Sequence, residues 1–272
     1  MLAVFGFWGL LWAVLCLSLG AGGFATAPRS LGWAALACGV HACLLMAPPW
    51  PLFAFLLGLH PPPGWQRVFQ DPVNVLSKIA ALLGSLAWIY GLRRTTPAAA
   101  GLRGPRPGSV PVVSAAVLAV AAGLFASAYL ERHAVVRESW DRVLFYATLP
   151  GVEEEVFYRG VLLGLLAPAF ARTLPLPGAR TSWGGAVGVL LFVLGHHLVF
   201  PERLFGLGTG ADFWRYVRAW LSPAHFPPGA LLYELGMGTL FLWVRERTGS
   251  CWAAVAAHCL MNGCLGAGHA LP

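Results

Sequence analysis

Three consecutive glutamates stand in an otherwise apolar stretch, Gly151-Val-Glu-Glu-Glu-Val-Phe-Tyr-Arg-Gly160. In a helix, Glu155 and Arg159 are four residues apart and can form an ion pair. Glu154 projects about 100° away from Glu155 and has no obvious partner. Apolar surroundings disfavour the ionised form of an unpaired carboxylate, which makes it a better proton acceptor near neutral pH. The stretch therefore predicts a structural pair, Glu155 with Arg159, beside a general base, Glu154.

Histidine and asparagine side chains occur in two further apolar stretches. One stretch ends at Phe192-Val-Leu-Gly-His196, and the other contains His258-Cys-Leu-Met-Asn262. His258 and Asn262 are four residues apart and share one helix face, where both can donate hydrogen bonds to a developing oxyanion. Together with Glu154 and His196, they would supply a base, an orienting group and oxyanion donors for hydrolysis.

Each of these patterns also has a purely structural interpretation. Three glutamates at the edge of a span can form a solvated helix start, and a histidine near a span end is often an interfacial anchor. Helices also pack polar pairs such as His258 and Asn262 as mutual hydrogen bonds. The apolar run continues through Val156, Phe157 and Val161, which disfavours the solvated start. The combination of the three patterns favours a catalytic site.

Other hydrolytic and nucleotide-dependent chemistries lack their usual sequence support. The sequence contains no GxSxG, HExxH or P-loop pattern. The three aspartates, Asp71, Asp141 and Asp212, fall in loops or at span edges. An intramembrane protease with paired aspartates is therefore disfavoured.

The composition requires membrane helices to position these residues. The 272 residues are 58% hydrophobic and 11% charged, with a mean hydropathy of +0.69, whereas a soluble domain carries about 25% charged residues. Apolar blocks of about 16 to 25 residues recur, long enough to cross a hydrocarbon core of about 30 Å. We predict an all-α, polytopic transmembrane helical bundle with one integral membrane domain over residues 1–272. Disorder, a soluble enzyme and a secreted disulfide scaffold are disfavoured.

About eight spans are predicted between polar or proline-rich breakers. Their approximate bounds are 2–25, 31–59, 73–92, 110–130, 144–166, 183–200, 229–244 and 251–268.

Basic residues lie singly or in pairs between the spans, which is typical of topology determinants rather than of a nucleic-acid surface. There are 17 arginines and one lysine, Lys78, and we attribute this imbalance to codon bias without functional weight. If the predicted spans alternate strictly, nine arginines share one side and seven the other, and the bias favours both termini outside. The nine are Arg29, Arg93, Arg94, Arg103, Arg106, Arg172, Arg180, Arg245 and Arg247, and the seven are Arg67, Arg132, Arg137, Arg142, Arg203, Arg215 and Arg218.

On three predicted spans, the motifs resemble the CPBP family of intramembrane proteases, which includes the type II CAAX prenyl endopeptidases. The family pattern EExxxR, FxxxH and HxxxN is matched by Glu154-Glu155-Val-Phe-Tyr-Arg159, Phe192-Val-Leu-Gly-His196 and His258-Cys-Leu-Met-Asn262. The resemblance covers residues 144–268, which we predict to be the catalytic core. Glu153 lies outside the pattern, whose register Arg159 fixes.

The resemblance implies a role for each matched residue. Glu154 would be the catalytic base, His196 would bind and orient the water, His258 and Asn262 would form the oxyanion hole, and Glu155 with Arg159 would be a structural pair. The substrate would be a membrane-anchored protein cleaved by glutamate-activated water, without a metal or other cofactor. A zinc ion held by Glu154, His196 and His258 is the alternative arrangement.

Other functions remain open from the sequence. A non-catalytic membrane scaffold and a transporter with a Glu/His proton relay are alternatives outside the protease class. Within the family, the choice lies between C-terminal sorting of exported proteins, as in myxosortases, and CAAX-type processing of prenylated proteins. The predicted orientation places the site toward the outer face, and the arginine-rich composition favours a bacterial inner membrane.

Overall fold

The computed structural model describes residues 27–46, 72–197 and 228–272. Most of these residues are helical, as the all-α prediction expects. The helices in chain order are α1 (Pro28–Met46), α2 (Pro72–Leu86), α3 (Val110–Glu131), α4 (Trp140–Tyr146), α5 (Leu149–Glu155), α6 (Leu163–Leu166), α7 (Trp183–His197), α8 (Pro228–Thr248) and α9 (Cys251–Ala270).

Shorter elements connect these helices. A π-helical turn, Ala87–Gly91, extends α2, and a longer π-helical segment, Val156–Leu162, joins α5 to α6. A 3-10 turn at Pro107–Ser109 precedes α3. Strands β1 (Leu174–Leu176) and β2 (Ala179–Thr181) form an antiparallel hairpin, which departs from the all-α prediction.

The predicted spans correspond to the observed helices with two qualifications. The span at 2–25 lies outside the described residues, as does the part of the second span after Met46. Within the described residues, one helix, Pro107–Glu131, is both long and apolar enough to cross a membrane, while Val75–Gly91 and Trp183–His196 are apolar but shorter. The number of spans therefore stays a prediction.

The fifth predicted span, 144–166, is wrong as a single continuous helix. Helix α4 ends at Tyr146, and Thr148 has φ −130° and ψ −82° before α5 begins at Leu149. The cause is Pro150, because its nitrogen carries no hydrogen to donate to the carbonyl of Tyr146 four residues earlier. The break gives α5 a start of its own, five residues before Glu154.

Helix α9 holds the bundle together by packing along α3 and against α4, α5 and α8. Its start is fixed by Ser250, whose side chain accepts a hydrogen bond from the backbone N–H of Ala253. Helix α5 approaches α9 so closely that a Cβ on Gly151 would lie 2.7 Å from Cys259 Sγ and 3.1 Å from its backbone nitrogen. A side chain at this crossing would require Cys259 to shift, so Gly151 permits the close spacing of the two helices.

The two ends of the bundle differ in charge. At one end, which we call the basic end, Arg103 Nε donates to the carbonyl of Gly249 at 3.1 Å, and Arg247 donates to the carbonyl of Gly178. At the other end, Arg132 Nε and Arg137 Nε donate to carbonyls in the last three residues, Ala270 to Pro272.

The nine arginines that the sequence analysis assigns to one side all belong to elements that meet at the basic end. Among the described residues, their acidic neighbour there is Glu246, which pairs with Arg172 at 3.1 Å. At the opposite end, which we call the neutral end, residues 131–142 contain acids and arginines in equal number. They are Glu131, Glu138 and Asp141 with Arg132, Arg137 and Arg142.

Candidate active site

Glu155 and Arg159 lie within ion-pair distance, and their structural role stays a prediction. Arg159 Nη1 lies 3.1 Å from Glu155 Oε1, and both residues are almost fully buried, at 1% and 0% exposure. Arg159 Nη2 donates to the carbonyl of Gly238 at 2.8 Å, and its guanidinium lies 4.5 Å from the ring centroid of Phe192. A buried charge is tolerated when it is paired and hydrogen-bonded in this way, so the pair ties α5 to α7 and α8.

Glu155 has a second partner that the sequence analysis does not predict, His258 on α9. His258 Nδ1 lies 2.9 Å from Glu155 Oε1, and its ring stacks on Phe241 at 4.4 Å between centroids. The contact follows from the close helix crossing, since Glu155 lies one turn after Gly151 and His258 adjoins Cys259. With Nδ1–H donating to the carboxylate, Nε2 is the nitrogen left to face a substrate.

Glu154 also has a partner, so the prediction of an unpaired carboxylate is wrong. Lys78 Nζ, from α2, lies 2.5 Å from Glu154 Oε1 and 2.8 Å from Glu153 Oε2. The sequence analysis gave the single lysine no functional weight and did not predict this contact. The available signal was a lone lysine inside the predicted span 73–92, because a cation at membrane depth is costly unless it is paired.

Glu153 is buried beside Glu154, although it lies outside the family pattern. Its side chain is 0% exposed, and its Oε1 lies 3.1 Å from His41 Nε2 on α1. The His41 ring stacks on Phe157, with 3.6 Å between centroids and 4° between planes. A solvated helix start is contradicted, because Glu153 and Glu155 are fully buried and the Glu154 side chain is 12% exposed.

His196 faces the second oxygen of Glu154. Its Nε2 lies 3.8 Å from Glu154 Oε2, and its Nδ1 is 2.9 Å from the carbonyl of Phe192 one turn earlier on α7. Glu154 Oε2 makes no hydrogen bond to the described part of the chain. This is the carboxylate oxygen that can accept a proton from a water molecule. The His196 side chain is 37% exposed, so it stands on the accessible side of the pair.

Asn262 lies one turn after His258 on α9, and it contacts the break between α4 and α5. Its Nδ2 donates to the carbonyl of Tyr146 at 3.1 Å. This carbonyl has lost its helical donor to Pro150, so the amide satisfies a group that the proline leaves open. His258 contacts Glu155, whereas Asn262 donates to Tyr146, so the described contacts are not a mutual hydrogen bond between the two.

Comparison with known proteins identifies the region that contains these side chains. Residues 137–264 match the family model described as type II CAAX prenyl endopeptidase Rce1-like. This segment, just under half of the chain, is similar to the Rce1-like family. The predicted resemblance to the CPBP intramembrane proteases is confirmed over this segment, and the match supports a hydrolase of the membrane-protease class. No curated protein and no solved structure matches the chain.

The Rce1-like segment contains Glu154, Glu155, Arg159, His196, His258 and Asn262. His41 on α1 and Lys78 on α2 lie before this segment. The side chains around Glu154 therefore come from helices inside and outside the matched segment.

The zinc alternative needs ligands that converge at about 2 Å from a common point. Within residues 27–46, 72–197 and 228–272, no group of three or more His, Cys, Asp and Glu side chains has the geometry to hold a metal ion. The nearest ligand set, Glu154 with His196 and His258, is partly used, because Lys78 contacts Glu154 and Glu155 contacts His258.

Proposed function

We propose that this protein hydrolyses a peptide bond in a membrane-anchored protein, using a water molecule activated by Glu154 and no metal ion. The observation that carries the proposal is the convergence of α5, α7 and α9 on one site. Glu154 Oε2 lies 3.8 Å from His196 Nε2, and the adjacent Glu155 lies 2.9 Å from His258. A scaffold or a proton relay does not need a base, an orienting histidine and an oxyanion donor at one place.

The proposed reaction begins with proton transfer from water to Glu154 Oε2, while His196 orients the water oxygen toward the scissile carbonyl carbon. The new C–O bond converts the carbonyl into a tetrahedral oxyanion. Glu154 then returns its proton to the leaving amide nitrogen as the C–N bond breaks, leaving a carboxylate and an amine.

His258 and Asn262 are proposed to stabilise the oxyanion. His258 donates from Nε2 when the ring is an imidazolium, whose charge the Glu155 carboxylate stabilises through Nδ1. The Asn262 amide has two hydrogens, of which one is used on Tyr146. The second is available to the oxyanion.

The substrate class depends on which face of the membrane the site opens to. His196 lies 13 residues after Trp183 on α7, which places it about 20 Å from the basic end at a rise of 1.5 Å per residue. Glu154 follows the start of α5 by five residues, close to the neutral end. The positive-inside rule puts the basic end in the cytoplasm, so the site faces outward.

An outward-facing site favours trimming of exported proteins held by C-terminal membrane tails, as in myxosortases, in a bacterial inner membrane. The family match favours a second candidate, CAAX-type processing of prenylated proteins, which requires a cytoplasmic site. The orientation of the chain therefore distinguishes the two substrate classes.

We expect alkaline phosphatase fused after Pro272 to be active in a bacterial host, because α9 ends at the neutral end. A matched pair of cysteine variants tests the same orientation in the full chain. Val136→Cys, at a site 90% exposed near the neutral end, should react with a membrane-impermeant maleimide in intact cells. Gly104→Cys, exposed at the basic end, should react only after permeabilisation. The reverse labelling pattern would favour CAAX-type processing.

Chelators should leave the activity unchanged to within about twofold, because a glutamate-activated water needs no Lewis acid. The assay uses purified protein in lipid vesicles with two quenched fluorescent probes. The tail reporter is a single-span peptide with a polar C-terminal flank, and the farnesyl reporter is a farnesylated CAAX peptide. Stoichiometric zinc, with activity lost on its removal and recovered on its return, would overturn the metal-free mechanism. Failure to cleave either reporter would contradict the protease proposal.

A further inference from the structure

Three buried side chains beside the site have no part in the proposed reaction: Lys78, Glu153 and His41. They form a continuous network of polar contacts with Glu154. Lys78 Nζ bridges Glu153 at 2.8 Å and Glu154 at 2.5 Å, and His41 lies 3.1 Å from the far oxygen of Glu153. The side chains of His41, Lys78 and Glu153 are 6%, 14% and 0% exposed. Burying Lys78 together with the carboxylates of Glu153 and Glu154 is energetically costly, so the network needs a physical explanation.

The position of Lys78 explains how Glu154 can be both buried and ionised. A buried carboxylate without a cation takes up a proton, and a protonated Glu154 cannot accept one from water. Lys78 contacts Oε1 of Glu154, which leaves Oε2 turned toward His196. The lysine thus favours the ionised form and fixes which oxygen is presented.

Glu153 explains why Lys78 does not neutralise the base. A lysine paired with Glu154 alone would stabilise the ionised carboxylate and weaken its affinity for a proton. Because Lys78 Nζ contacts Glu153 as well as Glu154, one cation is shared between two carboxylates. His41, whose ring stacks on Phe157, contacts the other carboxylate oxygen of Glu153.

We propose that Lys78, held by Glu153, is the positioning residue for Glu154, so that the active site extends into α1 and α2, outside the Rce1-like segment. The proposal rests on Glu154 being the general base. It assigns to the lone lysine a role in the reaction that residues 137–264 cannot supply by themselves.

The test is the pH dependence of kcat/KM for the tail reporter or the farnesyl reporter, whichever the full-length protein cleaves in lipid vesicles. Lys78→Met should lose about 10- to 100-fold at pH 7, with recovery at alkaline pH, because its acid limb moves up by about one to three pH units. Glu153→Gln should keep its acid limb at the wild-type pH or lower, since a like charge beside Glu154 is removed. Several charged or titratable groups surround Glu154 and set this acid limb. They are Lys78 from α2, His196 from α7, His258 from α9, His41 from α1, Glu153 from α5 and Tyr158 from the π-helical segment after α5.

Two controls separate positioning from folding. Lys78→Arg keeps the charge and should keep the wild-type acid limb, whereas Arg142→Met removes the cation of an ion pair with Glu138 outside the site and should change nothing. If Lys78→Met does not accumulate, the double variant Lys78→Met/Glu153→Gln removes the uncompensated carboxylate. This double variant should accumulate and show the raised acid limb.

The outcomes are distinct for the two proposals. A folded Lys78→Met protein with the wild-type acid limb would overturn the positioning role. Failure of both Lys78→Met and the double variant to accumulate, while Lys78→Arg behaves as wild type, would assign the lysine to folding alone. Full activity in Glu154→Gln would instead overturn the glutamate-base mechanism on which the inference rests.

Discussion

Replacing Glu154 with Gln should abolish cleavage while the protein still accumulates in the membrane. Glutamine keeps the shape of the side chain, and its carbonyl oxygen can still accept a hydrogen bond from Lys78, which retains its ion pair with Glu153. The amide has no affinity for a proton at neutral pH, so the step that activates water is lost. A positioned general base contributes about 10²- to 10⁴-fold, so kcat should fall by at least that range.

The measurement is turnover of the tail and farnesyl reporters by purified variants, normalised to folded protein. Glu138→Gln is the matched control, because it makes the same chemical change in a surface ion pair with Arg142 at the neutral end. That variant should turn over at the wild-type rate. Near-normal turnover by purified Glu154→Gln would end the glutamate-base mechanism.

Arg159→Ala should lower both protein abundance and activity. The substitution leaves Glu155, which is 0% exposed, without its guanidinium partner, and it removes the hydrogen bond from the guanidinium to the carbonyl of Gly238. Breaking a buried pair by removing one member costs about 3 to 5 kcal/mol. The expected result is a lower thermal unfolding midpoint in detergent and reduced accumulation in membranes.

The chain contains a second glutamate–arginine pair with the same spacing, Glu138 and Arg142, at 3.3 Å and partly exposed. Arg142→Ala should cost no more than about 1 kcal/mol, because exposed pairs contribute little. The double variant Glu155→Ala/Arg159→Ala removes the orphaned carboxylate, so it should recover part of the abundance but no activity, since His258 loses its partner. Wild-type stability in Arg159→Ala would refute the pairing as a structural element.

Short-range spacing made part of this site predictable from sequence. Glu155 and Arg159 lie one turn apart on the same chain segment, so helical geometry alone pairs them. Glu154 was also correctly separated from that pair, because consecutive residues on a helix point in different directions.

The partners that arrive from distant segments were not predictable in the same way. Lys78 is 76 residues from Glu154, and His258 is 103 residues from Glu155. No periodicity within one segment reports such contacts, which depend on how the helices pack. The energetic rule that an intramembrane cation needs a partner applied to Lys78, although it does not say which carboxylate is the partner. The helix break before α5 had a local signal in Pro150, which the apolar pattern alone overlooks.

The crossing at Gly151 has a consequence for how such proteins are identified. A methyl group there would require α9 to shift slightly, since the backbone nitrogen of Cys259 would lie 3.1 Å from it. The distance between Glu155 and His258 therefore depends on the side-chain size at Gly151, a residue that belongs to none of the three motifs. A chain with all three motifs but a bulky residue four positions before the second glutamate would need a wider helix spacing, so the three motifs alone do not define this geometry.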